Sequence, residues 1–138
     1  MRFIVSILII ALSFTANKLT AQNNKITATV INVTSDNGKV SFALYSKDTF
    51  MKKPIKGKIG AIKNGISEVV FENIVAGNYS VICYHDKNNN DKMDFQPNGM
   101  PMEDYGVSNN VINRFGPPVF EDTQFVVADK DVSLKIKF

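Results

Sequence analysis

Val132, Leu134, Ile136 and Phe138 alternate with Ser133, Lys135 and Lys137. A period of two places the apolar set on one face of an extended strand and the polar set on the other. The same rhythm runs through residues 26–33, where β-branched side chains predominate, and through residues 39–45, where Val40, Phe42 and Leu44 share a side. No segment carries a convincing helical period. Turn signals separate the strands: Ser35-Asp36-Asn37-Gly38 after the first, Lys63-Asn64-Gly65 before residues 68–72, and Ala76-Gly77-Asn78 before residues 79–85. Asn-Gly is the strongest short hairpin signal. Residues 58–62 form a further short strand candidate, and residues 124–127 and 132–138 form a final pair joined by residues 128–131. About seven such strands predict an all-β fold, a single antiparallel β-sandwich in the Ig-like manner with a long ordered loop.

The amino-terminal segment follows a different logic. Met1-Arg2 is a short positive start, and residues 3–14 are an apolar run. About a dozen residues fall short of the roughly 20 that cross a bilayer. With the small polar exit that follows, this reads as a secretory signal peptide over residues 1–21, leaving one β-sandwich domain over residues 22–138. No later apolar run reaches membrane-spanning length. The expected location is extracytoplasmic, periplasmic or extracellular.

Charge then loses much of its apparent meaning. The whole chain has 16 basic and 13 acidic residues, a net of +3. Removing Arg2 and Lys18 leaves 14 against 13, a net of +1. That balance argues against a nucleic-acid partner, which needs a cationic surplus. The near-neutral sum hides an asymmetry: residues 22–65 carry eight lysines against two acids, and residues 66–138 carry six bases against eleven acids. The lysines suit a solvated hairpin and a guarded sheet edge better than a polyanion site.

Cysteine and histidine each occur once, as Cys83 and His85. No intramolecular disulfide and no Cys/His zinc site is possible within one chain. Cys83 is expected as a small buried hydrophobe. A Cys83–His85 nucleophile pair lacks an orienting group. His85 is expected to hydrogen-bond the loop that follows it.

The most specific chemistry lies in that loop. Asp86, Asn88 and Asn90 occupy positions 1, 3 and 5 of a calcium-loop pattern, Lys92 offers a carbonyl at position 7, and Asp94 stands at position 9. Calcium takes six to eight oxygen ligands, which alternating short carboxylates and amides supply. Two departures separate the loop from an EF-hand. Asp91 replaces the glycine of position 6, and Pro97 replaces the bidentate glutamate of position 12. Glu103 or Asp104, folding back, is the candidate replacement. The competing reading is an Asx-rich surface turn without metal.

Residues 86–122 contain little regular pattern beyond a faint strand at 106–112, yet they are rich in Phe, Met, Val and Ile. A loop this long is functional or disordered, and its apolar content favours an ordered cap over one end of the sandwich. Within it, Arg114, Phe115, Phe120 and Asn109 form a possible binding surface. The alternative is that Arg114 pairs with Glu121 or Asp122 while the phenylalanines plug the loop down.

Two resemblances follow from these residues. The corner Phe71-Glu72-Asn73-Ile74 with Ala76-Gly77-Asn78-Tyr79 resembles transthyretin-like sandwiches over residues 66–94, with Tyr79 placed to make a tyrosine corner. His85 to Asp94, Tyr105-Gly106-Val107-Ser108-Asn109-Asn110 and the run from Arg114 to Asp122 resemble a secreted bacterial family, domain-of-unknown-function family 2141, across nearly the whole mature chain. The resemblance implies fold and export but no activity. It also argues against a eukaryotic pathway in which the sequons at Asn32 and Asn78 would be used.

Three functions compete. The first is a non-enzymatic, calcium-stabilised binding or assembly module of the cell envelope, with an unknown protein or glycan partner. The second is a carrier that holds a small apolar ligand or glycan under the long loop, against residues such as Phe115 and Phe120. The third, a hydrolase using paired carboxylates, has no supporting motif.

Overall fold

The computed structural model describes residues 23–138. The segment read as an export signal, residues 1–21, lies outside the described residues. Nine strands and one short helix follow in order: β1 Asn24–Val30, β2 Lys39–Tyr45, β3 Lys56–Gly60, β4 Ile62–Lys63, β5 Ile66–Ile74, β6 Gly77–Asp86, β7 Tyr105–Val107, α1 Phe120–Thr123, β8 Phe125–Val127 and β9 Val132–Ile136.

The strands form two sheets. One has the order β4-β5-β1-β9; the other runs β3-β2-β6-β7, with β8 also paired to β6. The alternation read in the sequence decides which side chains meet between them. Ile26, Ala28 and Val30 of β1 and Val40, Phe42 and Leu44 of β2 point inward. They join Phe71, Val81, Cys83 and Ile136 in one core.

The expectation of about seven antiparallel strands is corrected in four ways. The described residues form nine strands, and the β1–β9 pair is parallel, with Ile26 opposite Val132 and Val30 opposite Ile136. The final two strands are not partners: β8 pairs with β6 and β9 with β1. The first Asn-Gly turn does not close a hairpin either, because β1 and β2 lie in different sheets. A local signal specifies that the chain turns, whereas the partner of each strand is chosen by which apolar face it must bury. The connection after β1 instead crosses to the second Asn-Gly turn. There the Asp36 carboxylate accepts the N–H groups of Asn64 and Gly65 at 3.0 and 2.8 Å.

That second turn behaves as the sequence suggests. Asn64 and Gly65 both have positive φ, 52° and 72°, and β4 pairs with β5 across them. Two consecutive positive φ values are the geometry that matches strand twist in a tight hairpin. The corner before β6 also forms as read, with the Tyr79 hydroxyl donating to the Val75 carbonyl at 2.9 Å.

Candidate functional site

β6 carries the chain from the core to the 86–94 loop. His85 and Asp86, its last residues, are completely buried. The His85 backbone N–H donates to the Asp104 carbonyl at 2.9 Å, in the long loop that follows, while its ring Nε2–H donates to the Asn37 carbonyl at 2.6 Å, in the β1–β2 connection. Cys83 is buried, its thiol donates to the Gly106 carbonyl at 3.6 Å, and burial pushes its pKa up. A buried thiol held neutral is no nucleophile.

The 86–94 loop winds tightly around its own polar groups. The Asp86 carboxylate accepts the N–H groups of Asn90 and Asp91 at 3.1 and 3.0 Å. Asn89 and Asp91 take positive φ, 57° and 65°, so Asp91 supplies the left-handed conformation that glycine gives at position 6 of calcium loops. Asn88 donates to Asp94 at 2.7 Å, and Asn90 donates to both Asp94 oxygens at 2.9 Å. Four of the five sequence candidates, Asp86, Asn88, Asn90 and Asp94, are thus tied into one hydrogen-bonded cluster. At the fifth, Lys92, the backbone N–H donates to the Asn90 side-chain oxygen at 3.1 Å.

Two residues outside the loop complete it. Glu103 folds back, accepting the N–H of Lys87 at 3.1 Å and of Asp94 at 3.3 Å, so it fastens both ends of the loop. Lys39, which sequence reading passed over, places its ammonium against Asp91 and 3.6 Å from Asp86. The Asp91 contact, ahead of burial acting in the opposite sense, raises the Lys39 pKa. Register explains this pairing, since Lys39 lies opposite Asp86 across β2 and β6. Nothing local in the sequence signals it. Among the described residues no three His, Cys, Asp or Glu side chains converge as a metal-binding group. The cluster relies instead on amides and two carboxylates, donors that suit calcium rather than transition metals.

The possible binding surface divides. Phe120 is only 5% exposed; its ring packs edge-on against Phe50, which packs edge-on against Tyr45. It is a core plug and does not reach the surface. Asn109 is a staple, donating to the carbonyls of Asp122 and Gln124 at 3.1 and 2.7 Å. Among the described residues Arg114 forms no ion pair with Glu121 or Asp122, and Glu121 instead pairs with Lys47 at 3.2 Å. Phe115 is 100% exposed.

Nor is the long loop packed solid. Its two halves stand apart and leave a groove of about 820 Å³ over the outer side of β6 and β7. Met51, Ile82, Phe95, Met100, Ile112 and Phe115 contribute its apolar surface, and Arg114 and Glu103 also line it. Phe95 and Met100 belong to the apolar cap read in the sequence, whereas Met51 and Ile82 carry no local signal because they come from separate segments. Among the described residues no helix is long and apolar enough to cross a membrane.

No curated protein matches the chain. A family model described as an uncharacterized protein conserved in bacteria (DUF2141) matches residues 28–135, from within β1 to within β9 and across both the 86–94 loop and the groove. With the greater part of its length covered, the chain belongs to the DUF2141 family.

Proposed function

We propose that the protein is an exported, non-enzymatic binding module whose loop end is stabilised by calcium. The observation that carries this reading is the double role of Glu103. Its carboxylate fastens the 86–94 loop at Lys87 and Asp94 and also lines the groove. A cation held by Asp86, Asn88, Asn90, Asp94 and the Lys92 carbonyl would therefore set the wall of a binding surface. Asn88 and Asn90 now turn amide N–H groups toward Asp94; turning each amide over would direct its oxygen there instead. Lys39 opposes cation entry by lying beside Asp86 and Asp91, so affinity in the weak range of extracellular calcium modules is expected. Export rests on the positive start, the short apolar run and the small-residue exit. The transthyretin-like resemblance adds architecture and no activity.

Calorimetric titration of calcium and melting with and without chelator test the reading. Calcium a hundredfold above its Kd stabilises by about 2.7 kcal/mol if it binds only the folded chain. Asp94→Ala, at a partly exposed position, removes that response without unfolding the protein. No heat of binding and an unchanged melting temperature would overturn it.

The groove favours a second reading, a carrier of a small apolar ligand. Its volume and its lining of apolar side chains with few polar groups are those of ligand sites. Phe120, expected to line such a site, takes no part.

A further inference from the structure

We infer that the groove takes a single-chain anionic amphiphile, an acyl chain bearing a carboxylate or phosphate head, with Arg114 as the head-group anchor. The inference rests on the carrier reading and specifies its ligand class. The one uncommitted charge in the lining carries it: Arg114 shares the groove with Glu103 and Asp104. Each acidic side chain in the lining is already engaged. Glu103 accepts two backbone N–H groups. Asp104 pairs with Lys87 at 3.1 Å and accepts from Thr34 at 3.0 Å. The main-chain oxygen of Phe138, another lining residue, accepts from Asn32 at 3.1 Å. Arg114 alone among the charged lining residues has no ion-pair or hydrogen-bond partner among the described residues, and its five donors suit a carboxylate or phosphate.

The apolar surface fits the other half of the ligand. Met51, Phe95, Met100, Ile112 and Phe115 are exposed large hydrophobics that line one groove together with half-buried Ile82. Contiguous apolar surface of this kind on a folded chain marks an interaction site. Methionines, with flexible thioether side chains, adapt to a chain that has no fixed shape. An open groove with a cation in its lining accommodates a tail lengthwise while the head remains at the solvent boundary.

Titration calorimetry of the full chain with hexadecanoate, hexadecyl phosphate, hexadecanol and hexadecyltrimethylammonium tests this. The two anions are expected to bind, with the alcohol weaker and the cation weakest. Arg114→Ala should weaken the anions by about 10- to 100-fold, the loss of hydrogen bonds to a charged group, and leave the alcohol unchanged. Ile112→Asp, at an exposed lining position, should weaken all four. Circular dichroism confirms that both variants remain folded. Equal binding of the anions and the alcohol, unaffected by Arg114→Ala, would overturn the anionic assignment while leaving the carrier reading in place. No binding of any of the four would overturn both. Sedimentation with phosphatidylglycerol vesicles by a protein that ignores hexadecanoate would make the surface a membrane contact and overturn the proposal as well.

Discussion

Burial pushes the Asp104 carboxyl up, but the Lys87 ammonium, the Thr34 hydroxyl and the nearby His85 outweigh it and hold the pKa below the ordinary value. A carboxyl lowered in the folded state contributes stability that is present above its unfolded pKa, about 3.9, and is lost as pH falls through the folded value. Asp104→Asn should therefore cost up to about 1 kcal/mol at pH 7, as partly exposed ion pairs do. The gap from the parent protein should close as pH falls below the unfolded value and through the lower folded one. Urea unfolding across that range checks this; a gap that persists at low pH would assign the effect to the Thr34 hydrogen bond or to packing. The pairing joins residues 17 and 70 positions apart, Lys87 and Thr34, to one carboxylate. Sequence reading named Asp104 as a spare calcium ligand because only its proximity to the loop was visible. Its actual partners were brought by the fold, and Glu103, next to it, took the loop-closing place.

Among the elements, the passage from β3 to β4 shows how the chain changes sheets. β3 belongs to the sheet of β2, and β4, beginning two residues after β3 ends, belongs to the sheet of β5. Gly60 at the crossing is buried, and a Cβ there would lie 2.3 Å from Ser67 Oγ and 3.0 Å from the Phe42 ring. Ser67 can rotate, but Phe42 is held in the core. Gly60→Ala should destabilise by about 1–3 kcal/mol through overpacking. Gly57→Ala, in the same strand with its nearest contact at 3.9 Å, should be close to neutral. Guanidinium unfolding of the pair decides; equal losses would mean that the close approach at Gly60 is not what matters. The sequence places a short strand at 58–62 but not the break within it, since a switch of sheets leaves no periodic mark when the two pieces are so short.

At the scale of the molecule, β9 joins the two sheets. It extends the first sheet beside β1, and Ile136 projects to where a Cβ on Gly106 of β7 would stand, 2.6 Å away. Asn110, just beyond β7, grips the same strand by donating to the Lys135 carbonyl at 3.0 Å and accepting from the Lys137 N–H at 2.8 Å. Removing the buried Ile136 side chain by Ile136→Ala should cost about 2–5 kcal/mol, whereas Lys135→Ala on the solvent side should stay within about 0.5 kcal/mol. Chemical denaturation followed by both circular dichroism and tyrosine fluorescence checks this. Coincident transitions are expected if the sheets unfold together. Separate transitions would show that the β7–β9 contact does not couple them.

The sequence by itself determined most of the strands and their faces. Alternation is a property of neighbouring residues, and so Val40, Phe42 and Leu44 share one face whichever strand they pair with. Asn64-Gly65 and Tyr79 were legible for the same reason, since a turn or a corner is built within a few residues. The 86–94 spacing was legible as a tight polar loop, with Asp91 in the conformation its position demands. Tertiary structure alone decided the pairing of β1 with β9 in parallel, the separation of β8 from β9 and the Lys39 contact with Asp86. It also decided that Phe120 is buried while Phe115 is exposed. Each depends on residues distant in sequence competing for the same surface, and the outcome is set by the total apolar area that the two sheets bury together. The groove belongs to that second kind: Met51, Ile82 and Phe115 form one surface only after the fold has brought three segments side by side.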